Sequence, residues 1–395
     1  MRGCGGVSGC GVVSDEPGKS SGVRCRADID AAALRDNARA VGRLAGGGPE
    51  LVMAVVKADA YGHGLEGVAR ALDGEVGAFA VACPDEAAVV SRVTRTASGA
   101  GRPVYLLSPS LPEEVAGIVA AGWIPAVSSA EEVRAFAVEA ARQGRKQRVH
   151  LVVDTGMGRI GSMPVEAGEL IGLVRGMRSL ELDSVSSHFP SADEDEVFTR
   201  RQAAEFRAAV RGWQKEYGVF RVHLANSAGL GVCAHPAGEM VRSGLLLYGV
   251  SPIPEFDRLV RPVMRWSARV GLVRELPAGH GVSYGRTHVT SRPTRVATVT
   301  AGYGDGYPRH ASGNGAQVLI GGRRCAVLGR VTMDQLMADV TELGDAVRRG
   351  DEVVLLGRSG DEEIAAAELA GWARTIPWHL FTGITPRTPR FHHGL

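Results

Sequence analysis

Lys57 is the residue of this sequence best placed for amine chemistry. It is one of only four lysines in 395 residues, and it comes directly after the apolar run 51–56. A lysine at the end of a buried strand is partly desolvated, which lowers the pKa of its amine and frees the amine to form a Schiff base with a carbonyl group. The alternative interpretation is a strand-end lysine that simply extends into solvent.

A glycine-rich segment, 154–161, follows another apolar run and reads Asp-Thr-Gly-Met-Gly-Arg-Ile-Gly. Its G-x-G-x-x-G spacing is typical of dinucleotide sites, where the last glycine lies inside an opening helix. Pro164 follows almost at once, and proline is disfavoured inside a helix, so we do not expect a dinucleotide here. Arg159 is the more useful group, because its rigid fork of donors suits a carboxylate or phenolate.

Polar residues also follow three later apolar runs. They are His188 after the first, Asn226 and Ser227 after the second, and Ser243 and Gly244 after the third. Hydroxyls and closely approached backbone N–H groups at late barrel strands commonly bind phosphate. A lone histidine such as His188 is more often an ordinary core residue. No histidines fall at zinc-like spacing, so no metal site is predicted.

These candidates follow a regular alternation of short apolar runs and amphipathic stretches, which is typical of βαβ units and a parallel sheet. Eight such runs favour a closed (β/α)8 barrel over an open sheet, and function then collects at the carboxyl ends of the strands. The predicted strands are 51–56, 78–82, 104–107, 124–127, 149–153, 182–188, 221–225 and 240–249.

The pattern becomes β-like from residue 263, and a Gly-Gly pair at 321–322 predicts a hairpin turn. We therefore predict an α/β fold class, with a TIM-like barrel at 25–262 followed by a mainly β domain at 263–395 that contains a short helix at 362–373. Residues 1–24 are rich in glycine and serine and are predicted to be a disordered extension. They lack the apolar stretch of a secretory signal.

Composition excludes several classes of protein. The formal net charge is only +2, and the sequence has no basic block of the kind that binds nucleic acid. No apolar run reaches the roughly 20 residues that a membrane span needs. The six cysteines are scattered without a C-x-x-C pair, which is typical of reduced thiols in the cytoplasm, although disulfides stay open as an alternative.

Four segments together resemble the alanine racemase family of pyridoxal 5'-phosphate enzymes. They are 54–64, 154–161, 282–285 and 332–334, which read AVVKADAYGHG, DTGMGRIG, VSYG and TMD. They occur in the family's order and at its spacing, and the resemblance covers about residues 24–390. It implies a barrel plus a β domain, pyridoxal phosphate as cofactor, and a head-to-tail homodimer with two active sites shared between the subunits.

The resemblance also implies roles for individual residues. Lys57 would carry the cofactor and act as one catalytic base, with Tyr284 of the partner subunit as the opposing base. Arg159 and the backbone N–H of the partner's Met333 would bind the substrate carboxylate. The implied cofactor-binding residues are Lys57, Tyr61, His188, Asn226, Ser227, Arg242, Gly244, Leu245 and Trp378, the last standing where the family has a tyrosine.

Two bases suit racemisation, because a proton leaves one face of Cα and another returns on the opposite face. Tyrosine is normally a poor base, and a positive network through His188 and Arg242 would make Tyr284 a better one. Arg242 would donate to the ring nitrogen of the cofactor. Since arginine is a donor only, that nitrogen would stay largely unprotonated.

The predicted function is therefore the interconversion of L-alanine and D-alanine in the cytoplasm, which supplies D-alanine for peptidoglycan. The expected partners are a small amino-acid substrate and a second copy of the chain, with neither nucleic acid nor membrane. Three alternatives stay open. They are a racemase for serine or several small amino acids, a non-catalytic pyridoxal phosphate carrier, and a metal-assisted lyase such as a D-threonine aldolase.

Overall fold

A computed structural model describes residues 22–95, 99 and 101–395, so most of the predicted extension at 1–24 lies outside the described residues. The chain forms two compact units. One consists of the described residues up to Ala31 together with Met264–Leu395, and the other is Ala32–Val263. Among the described residues, no helix is both long and apolar enough to cross a membrane.

The first strand does not belong to the barrel. Strand β1 (Cys25–Asp30) lies within the range expected to open it, but pairs antiparallel with residues 264–268 and parallel with residues 390–393. Its side chains alternate between buried and half-buried, which is typical of a strand in a sheet with two different faces. The chain then enters the barrel unit through helix α1 (Ala31–Leu44).

The barrel unit alternates eight parallel strands with helices, as the sequence predicts. Its strands are β2 (Val52–Val55), β3 (Ala78–Val81), β4 (Val104–Leu106), β5 (Ile124–Val127), β6 (Gln147–Val152), β7 (Leu180–Ser186), β8 (Arg221–His223) and β9 (Val241–Ser243). Its helices are α2 (Lys57–Gly62), α3 (Leu65–Leu72), α4 (Pro84–Val93), α5 (Val115–Ala121), α6 (Ala130–Arg142), α7 (Pro164–Gly176), α8 (Glu196–Tyr217) and α9 (Gly229–Val232).

The strands form a nearly closed barrel in the order β8-β7-β6-β5-β4-β3-β2-β9. Backbone hydrogen bonds from Met240 to Val222 and from Arg242 to Ala225 bridge the two ends of this order. Strands such as β3 are buried along their whole length, because helices cover the outer face and side chains fill the interior. This burial explains why β2 to β5 appear in the sequence as continuous apolar runs, whereas β6 to β9 also carry polar residues.

The second unit is mainly β. A nine-stranded sheet contains β1 and nearly all of the later strands. These later strands are β10 (Met264–Leu276), β11 (Gly281–Val282), β12 (His288–Val289), β13 (Thr294–Val299), β14 (Gln317–Ile320), β15 (Arg323–Leu328), β16 (Leu336–Asp339), β17 (Glu352–Ser359), β18 (Glu362–Ile364) and β19 (Arg390–His393), with β11 and β12 forming a separate pair. Its helices are α10 (Ala366–Ala373) and α11 (Pro377–Gly383).

Two local predictions can be compared with this unit. The β14–β15 hairpin turns at Gly321 and Gly322, both with positive φ, so the predicted Gly-Gly hairpin is confirmed. The helix predicted at 362–373 is shorter, because residues 362–364 pair with β17 before α10 begins. The side chains of Glu362 and Glu368 both bind Arg324, which fastens this segment to β15.

Candidate active site

Lys57 lies two residues after β2 and opens α2, which is an unusual left-handed turn. The four residues after it, Ala58–Tyr61, all have φ near +54°, in the left-handed region. For residues other than glycine this conformation costs roughly 1–2 kcal/mol each, because Cβ approaches the following carbonyl oxygen. Such strain persists only where surrounding contacts fix it, and it is concentrated at functional sites.

Contacts of aromatic and acidic side chains stabilise this turn. The hydroxyl of Tyr248 donates to the backbone oxygen of Val55 at 3.0 Å, and the ring of Tyr248 stacks on His63 at 4.5 Å. Asp59 accepts a hydrogen bond from the N–H of Leu65 at 2.7 Å, which joins the turn to α3. These contacts fix the turn between strand β2 and helix α3.

The Lys57 amine lies among other cationic groups of the barrel unit. Burial lowers its pKa, and the positive charges of Arg159 and Arg242 lower it further, against an opposing effect of Glu86. The two other described lysines, Lys146 and Lys215, are exposed. Lys57 is therefore the described lysine whose surroundings favour a free, nucleophilic amine.

The guanidinium group of Arg242 is held by hydrogen bonds from its two terminal nitrogens. One of them contacts Nδ1 and the backbone oxygen of His223, and the other contacts the backbone oxygens of Ser187 and Leu224 and Nδ1 of His188. Burial, and to a lesser extent the charge of Arg159, lowers its pKa to about 10, so it stays cationic near neutral pH. Among the described residues, Nε–H of Arg242 has no acceptor.

The two histidines beside Arg242 are neutral and have a defined tautomer. Because arginine is a donor only, Nδ1 of both His188 and His223 must accept, which leaves the proton on Nε2. Burial and the charge of Arg242 lower the pKa of His188 to about 3 and that of His223 well below its usual value. His188 therefore presents an Nε2–H donor and carries no charge of its own.

A small polar cradle lies at the neighbouring strand end. Strand β9 pairs with β2, so Gly244 and Lys57 follow adjacent strands. The N–H of Gly244 donates to the hydroxyl of Ser227 at 3.2 Å, and a Cβ at Gly244 would come within 2.7 Å of the Tyr61 hydroxyl. Burial raises the pKa of Tyr61 to about 12, so this hydroxyl keeps its proton. The cradle offers donors to an anion.

Asn226 faces backbone rather than the cradle. Its amide nitrogen donates to the Phe189 oxygen at 3.3 Å, and its oxygen accepts from the Gly229 N–H at 2.8 Å. Both polar ends of the side chain are thus engaged within the loop. Asn226 therefore shapes the loop beside the cradle. Leu245 begins the short 3-10 turn that follows Gly244.

The loop at 154–161 carries Arg159 without opening a helix. Asp154 accepts hydrogen bonds from three backbone N–H groups of the loop, all at 2.9 Å. Gly161 has a φ of +114°, and a Cβ there would lie 2.6 Å from the Asp154 nitrogen. Helix α7 starts only at Pro164. The glycines therefore serve the tight turn, which agrees with rejecting a dinucleotide site, and they leave Arg159 exposed.

Three predicted site residues belong to the β unit. The side chain of Tyr284 is 71% exposed, and that of Met333 is 53% exposed. The backbone oxygen of Met333 accepts from the Gly304 N–H at 2.7 Å, and Asp334 binds Arg387 at 2.8 Å, so the loop is held on both sides. Trp378 lies in the first turn of α11. Their assignment to the site of Lys57 stays a prediction.

Sequence reasoning missed the residues beneath the site. His150 and His223 have ring centroids 5.5 Å apart in the barrel interior, and Tyr105 meets both rings edge-on. The Tyr105 hydroxyl donates to Asp183 at 2.6 Å. The available signal was the presence of polar residues at inward positions of the barrel strands, which could have indicated this cluster.

Acid should destabilise the barrel unit below about pH 6.5. Burial lowers the pKa of His150 to about 4 and that of His188 to about 3, and it lowers that of His223 too. As the pH falls from 6.5 towards 4, the unfolded chain gains protons that the folded chain does not, so the free energy of unfolding decreases. Each histidine contributes a slope of about 1.4 kcal/mol per pH unit.

Urea unfolding followed from pH 7 to pH 4.5 measures this slope. His150→Leu should flatten the slope by about the share of one histidine. Between pH 7.5 and 9, where all three rings are neutral in both states, His150→Leu and the original protein should give parallel curves. An unchanged slope below pH 6.5 in His150→Leu would contradict the assignment.

The fold and the site define a (β/α)8 barrel protein with a strained, strand-end lysine among arginines, joined in one chain to a β unit. Sequence models of the alanine racemase N-terminal and C-terminal domains match residues 29–252 and 263–392. The chain belongs to the alanine racemase family. The match to this family confirms the resemblance, the fold class and the type of enzyme expected from the sequence.

Individual relatives show how far the similarity extends. The chain is 44% identical over 373 residues to an alanine racemase of Symbiobacterium thermophilum, covering 93% of this chain and 97% of that one. The alanine racemase of D-cycloserine-producing Streptomyces lavendulae superposes with a TM-score of 0.86 at 36% identity, over 95% and 98% of the two chains. That of Bartonella henselae, with covalently bound pyridoxal phosphate, gives 0.82 at 27% identity over 93% and 99%.

Proposed function

We propose that this protein interconverts L-alanine and D-alanine with pyridoxal phosphate bound to Lys57. The observation that carries the proposal is the Lys57 amine, whose pKa is lowered by burial and by the charges of Arg159 and Arg242. A cluster of cations with few acidic partners calls for an anionic occupant. A phosphate ester that also carries a carbonyl group satisfies both the amine and the cations.

The residues of the barrel unit fit this cofactor. Tyr61, Ser227 and the backbone N–H groups of Gly244 and Leu245 would bind the phosphate, and Nε–H of Arg242 would donate to the ring nitrogen. His188 would support Arg242, and Asn226 would border the site. We propose that Trp378 of the β unit borders it too. When bound, pyridoxal phosphate supplies an electron sink that acidifies the Cα–H bond of an amino acid.

The proton transfers belong to residues of this chain. A free Lys57 amine would exchange a proton with Cα on one face, and the phenol of the partner's Tyr284 would do so on the other. Arg159 and the backbone N–H of the partner's Met333 would orient the substrate carboxylate. Arg242 donates a hydrogen bond but keeps its proton, so it would leave the ring nitrogen largely unprotonated and limit side reactions.

We further propose a homodimer in which each site takes Tyr284 and Met333 from the partner subunit. The exposure of both side chains supports this. Dimers formed from a mixture of Lys57→Ala and Tyr284→Phe chains should regain about a quarter of the original activity, because half the dimers carry one intact site. We also propose a cytoplasmic location, where D-alanine would supply peptidoglycan. The four described cysteines are all free, which is typical of a reducing compartment.

Gly244→Ala should weaken the binding of pyridoxal phosphate at least tenfold, or about 1.4 kcal/mol. The new Cβ would lie 2.7 Å from the Tyr61 hydroxyl, and Tyr61 has little room to retreat because its ring packs 5.0 Å from that of Tyr248. Equilibrium titration with pyridoxal phosphate measures the loss. Binding of pyridoxal, which lacks the phosphate, should change much less.

Gly176→Ala is the matched control, because a Cβ at the end of α7 meets nothing within 4 Å. This variant should bind pyridoxal phosphate as the original protein does. If Gly244→Ala weakened pyridoxal and pyridoxal phosphate equally, the cradle would not be the phosphate site.

Racemisation rates for a panel of L-amino acids test the proposed function directly. With pyridoxal phosphate present, alanine should give the highest kcat/KM, followed by other small amino acids. A serine rate above the alanine rate would favour the serine or broad-specificity alternative. Binding of pyridoxal phosphate without any racemisation would identify a non-catalytic carrier and overturn the proposal.

A further inference from the structure

We propose that Glu86 is a positioning residue for Lys57, acting through the left-handed turn; this rests on the function proposed above. One Glu86 oxygen accepts from the Ala58 N–H at 2.6 Å, and the other accepts from the Ala82 N–H at 2.9 Å. Ala58 directly follows Lys57, and Ala82 directly follows β3. A single carboxylate thus ties the lysine-bearing turn to the neighbouring strand.

The turn needs such a contact because its conformation is unfavourable by itself. Ala58 is the first of four consecutive left-handed residues, so its N–H lies where the chain departs from the direction of β2. Asp59 secures the far end of the turn through the Leu65 N–H. Glu86 secures the end next to Lys57, with hydrogen bonds strengthened by the charge on the acceptor.

The position of Glu86 in α4 explains how it reaches both groups. It is the third residue of the helix, which starts at Pro84, and acidic side chains are favoured near a helix N-terminus. A glutamate at this position commonly reaches back to the backbone just before the helix. Here it reaches Ala82, and its second oxygen is left to bind Ala58.

Glu86 also acts on the charge of Lys57. The groups that influence the amine are Arg159 of the 154–161 loop, Arg242 of β9 and Glu86 of α4, and the neutral His188 is also near. Of these, Glu86 alone favours the protonated amine. Loss of its charge would therefore lower the pKa of Lys57 further, whereas loss of its hydrogen bonds would release the turn.

Labelling of Lys57 in the full-length, cofactor-depleted chain tests both effects. The rate of reaction with trinitrobenzenesulfonate is followed against pH and assigned to Lys57 by peptide mass spectrometry. Glu86→Gln should move the midpoint of this profile to lower pH and weaken pyridoxal phosphate binding about tenfold. Glu86→Asp keeps the charge but is too short to bridge both N–H groups, so it should weaken binding with a smaller change in midpoint.

Asp85→Asn is the matched control, because it removes the same charge from the same helical turn at an exposed position. It should leave the midpoint and the cofactor affinity unchanged. If Glu86→Gln lowers the melting temperature but otherwise behaves like Asp85→Asn, Glu86 only caps its helix and the proposal is overturned. Should Glu86→Gln fail to fold, unchanged affinity in Glu86→Asp overturns it equally.

The proposed function and this inference can fail separately. Absence of racemisation by the original protein would remove the proposed function, but the Lys57 labelling profiles do not depend on turnover. If the chain racemises alanine while the Glu86→Gln midpoint and affinity match those of the original protein, only the inference about Glu86 is wrong.

Discussion

Lys57→Ala should abolish racemisation and the covalent retention of pyridoxal phosphate together. Loss of a general base alone costs about 10²–10⁴-fold in rate, and the proposed attachment point of the cofactor would be lost as well, so we expect a decrease beyond 10⁴-fold. Alanine fills less space than lysine and leaves the buried strand β2 intact. The measurements are kcat for L-alanine and the cofactor content after exhaustive dialysis.

Lys146→Ala and Lys215→Ala are the natural controls, because both side chains are exposed and far less desolvated. Both variants should keep full activity and cofactor content. Reduction of the original protein with borohydride, followed by peptide mapping, should place the pyridoxyl group on Lys57. A label on either exposed lysine, or full cofactor retention by Lys57→Ala, would show that the site is elsewhere.

The barrel could be predicted because its strands are buried on both faces. Several of them are short apolar runs, such as Val52–Val55, Ala78–Val81 and Ile124–Val127, and such a run is visible without knowledge of its neighbours. The strand ends then place Lys57, His188 and Arg242 on one rim. A parallel barrel needs no further information to bring the carboxyl ends of its strands together.

Strand β1 could not be placed in the same way. The segment CRADID alternates as a strand should, but its partners lie more than 230 residues along the chain, at Met264 and beyond. Local sequence therefore indicates a strand without indicating its sheet. The contact between the Trp266 indole N–H and the Cys25 sulfur, at 3.0 Å, becomes visible only when the pairing is known.

The left-handed turn after Lys57 could not be predicted from the sequence either. Ala58, Ala60 and Tyr61 are residues that normally avoid this conformation, and Asp59 adopts it only occasionally. Tertiary contacts from Tyr248 and Glu86, distant in sequence, decide the outcome. The motif around Lys57 therefore indicated which residue was important, but the physical reason for its fixed position lies in side chains that no local pattern identifies.

Electrostatics within the site also depended on the structure. The sequence suggested a positive network through His188 and Arg242. The geometry makes His188 neutral, with Nδ1 accepting from Arg242, and adds His223 as a second acceptor. The only lasting positive charge in this chain of contacts is that of Arg242. A tyrosine next to His188 would therefore meet a hydrogen-bond donor rather than a cation.

Tyr284→Phe should slow the two directions of hydrogen exchange unequally. If Tyr284 removes the proton of L-alanine and Lys57 that of D-alanine, loss of the hydroxyl stops abstraction from the L-isomer and spares the first step from the D-isomer. In D₂O, Cα–H exchange of L-alanine should fall by about 10²–10⁴-fold, while that of D-alanine stays partly active. Nuclear magnetic resonance follows both exchanges without coupled enzymes.

The overall equilibrium constant near one cannot change in this variant, because the products are mirror images, so the asymmetry can appear only in exchange. Tyr284→Phe keeps the aromatic ring and removes one oxygen, so we expect the cofactor content to match that of the original protein. Lys57→Ala is the less clean counterpart, since it also removes the cofactor. Equal slowing of exchange for both enantiomers, or for neither, would contradict two separate bases and favour a single base that serves both faces of Cα.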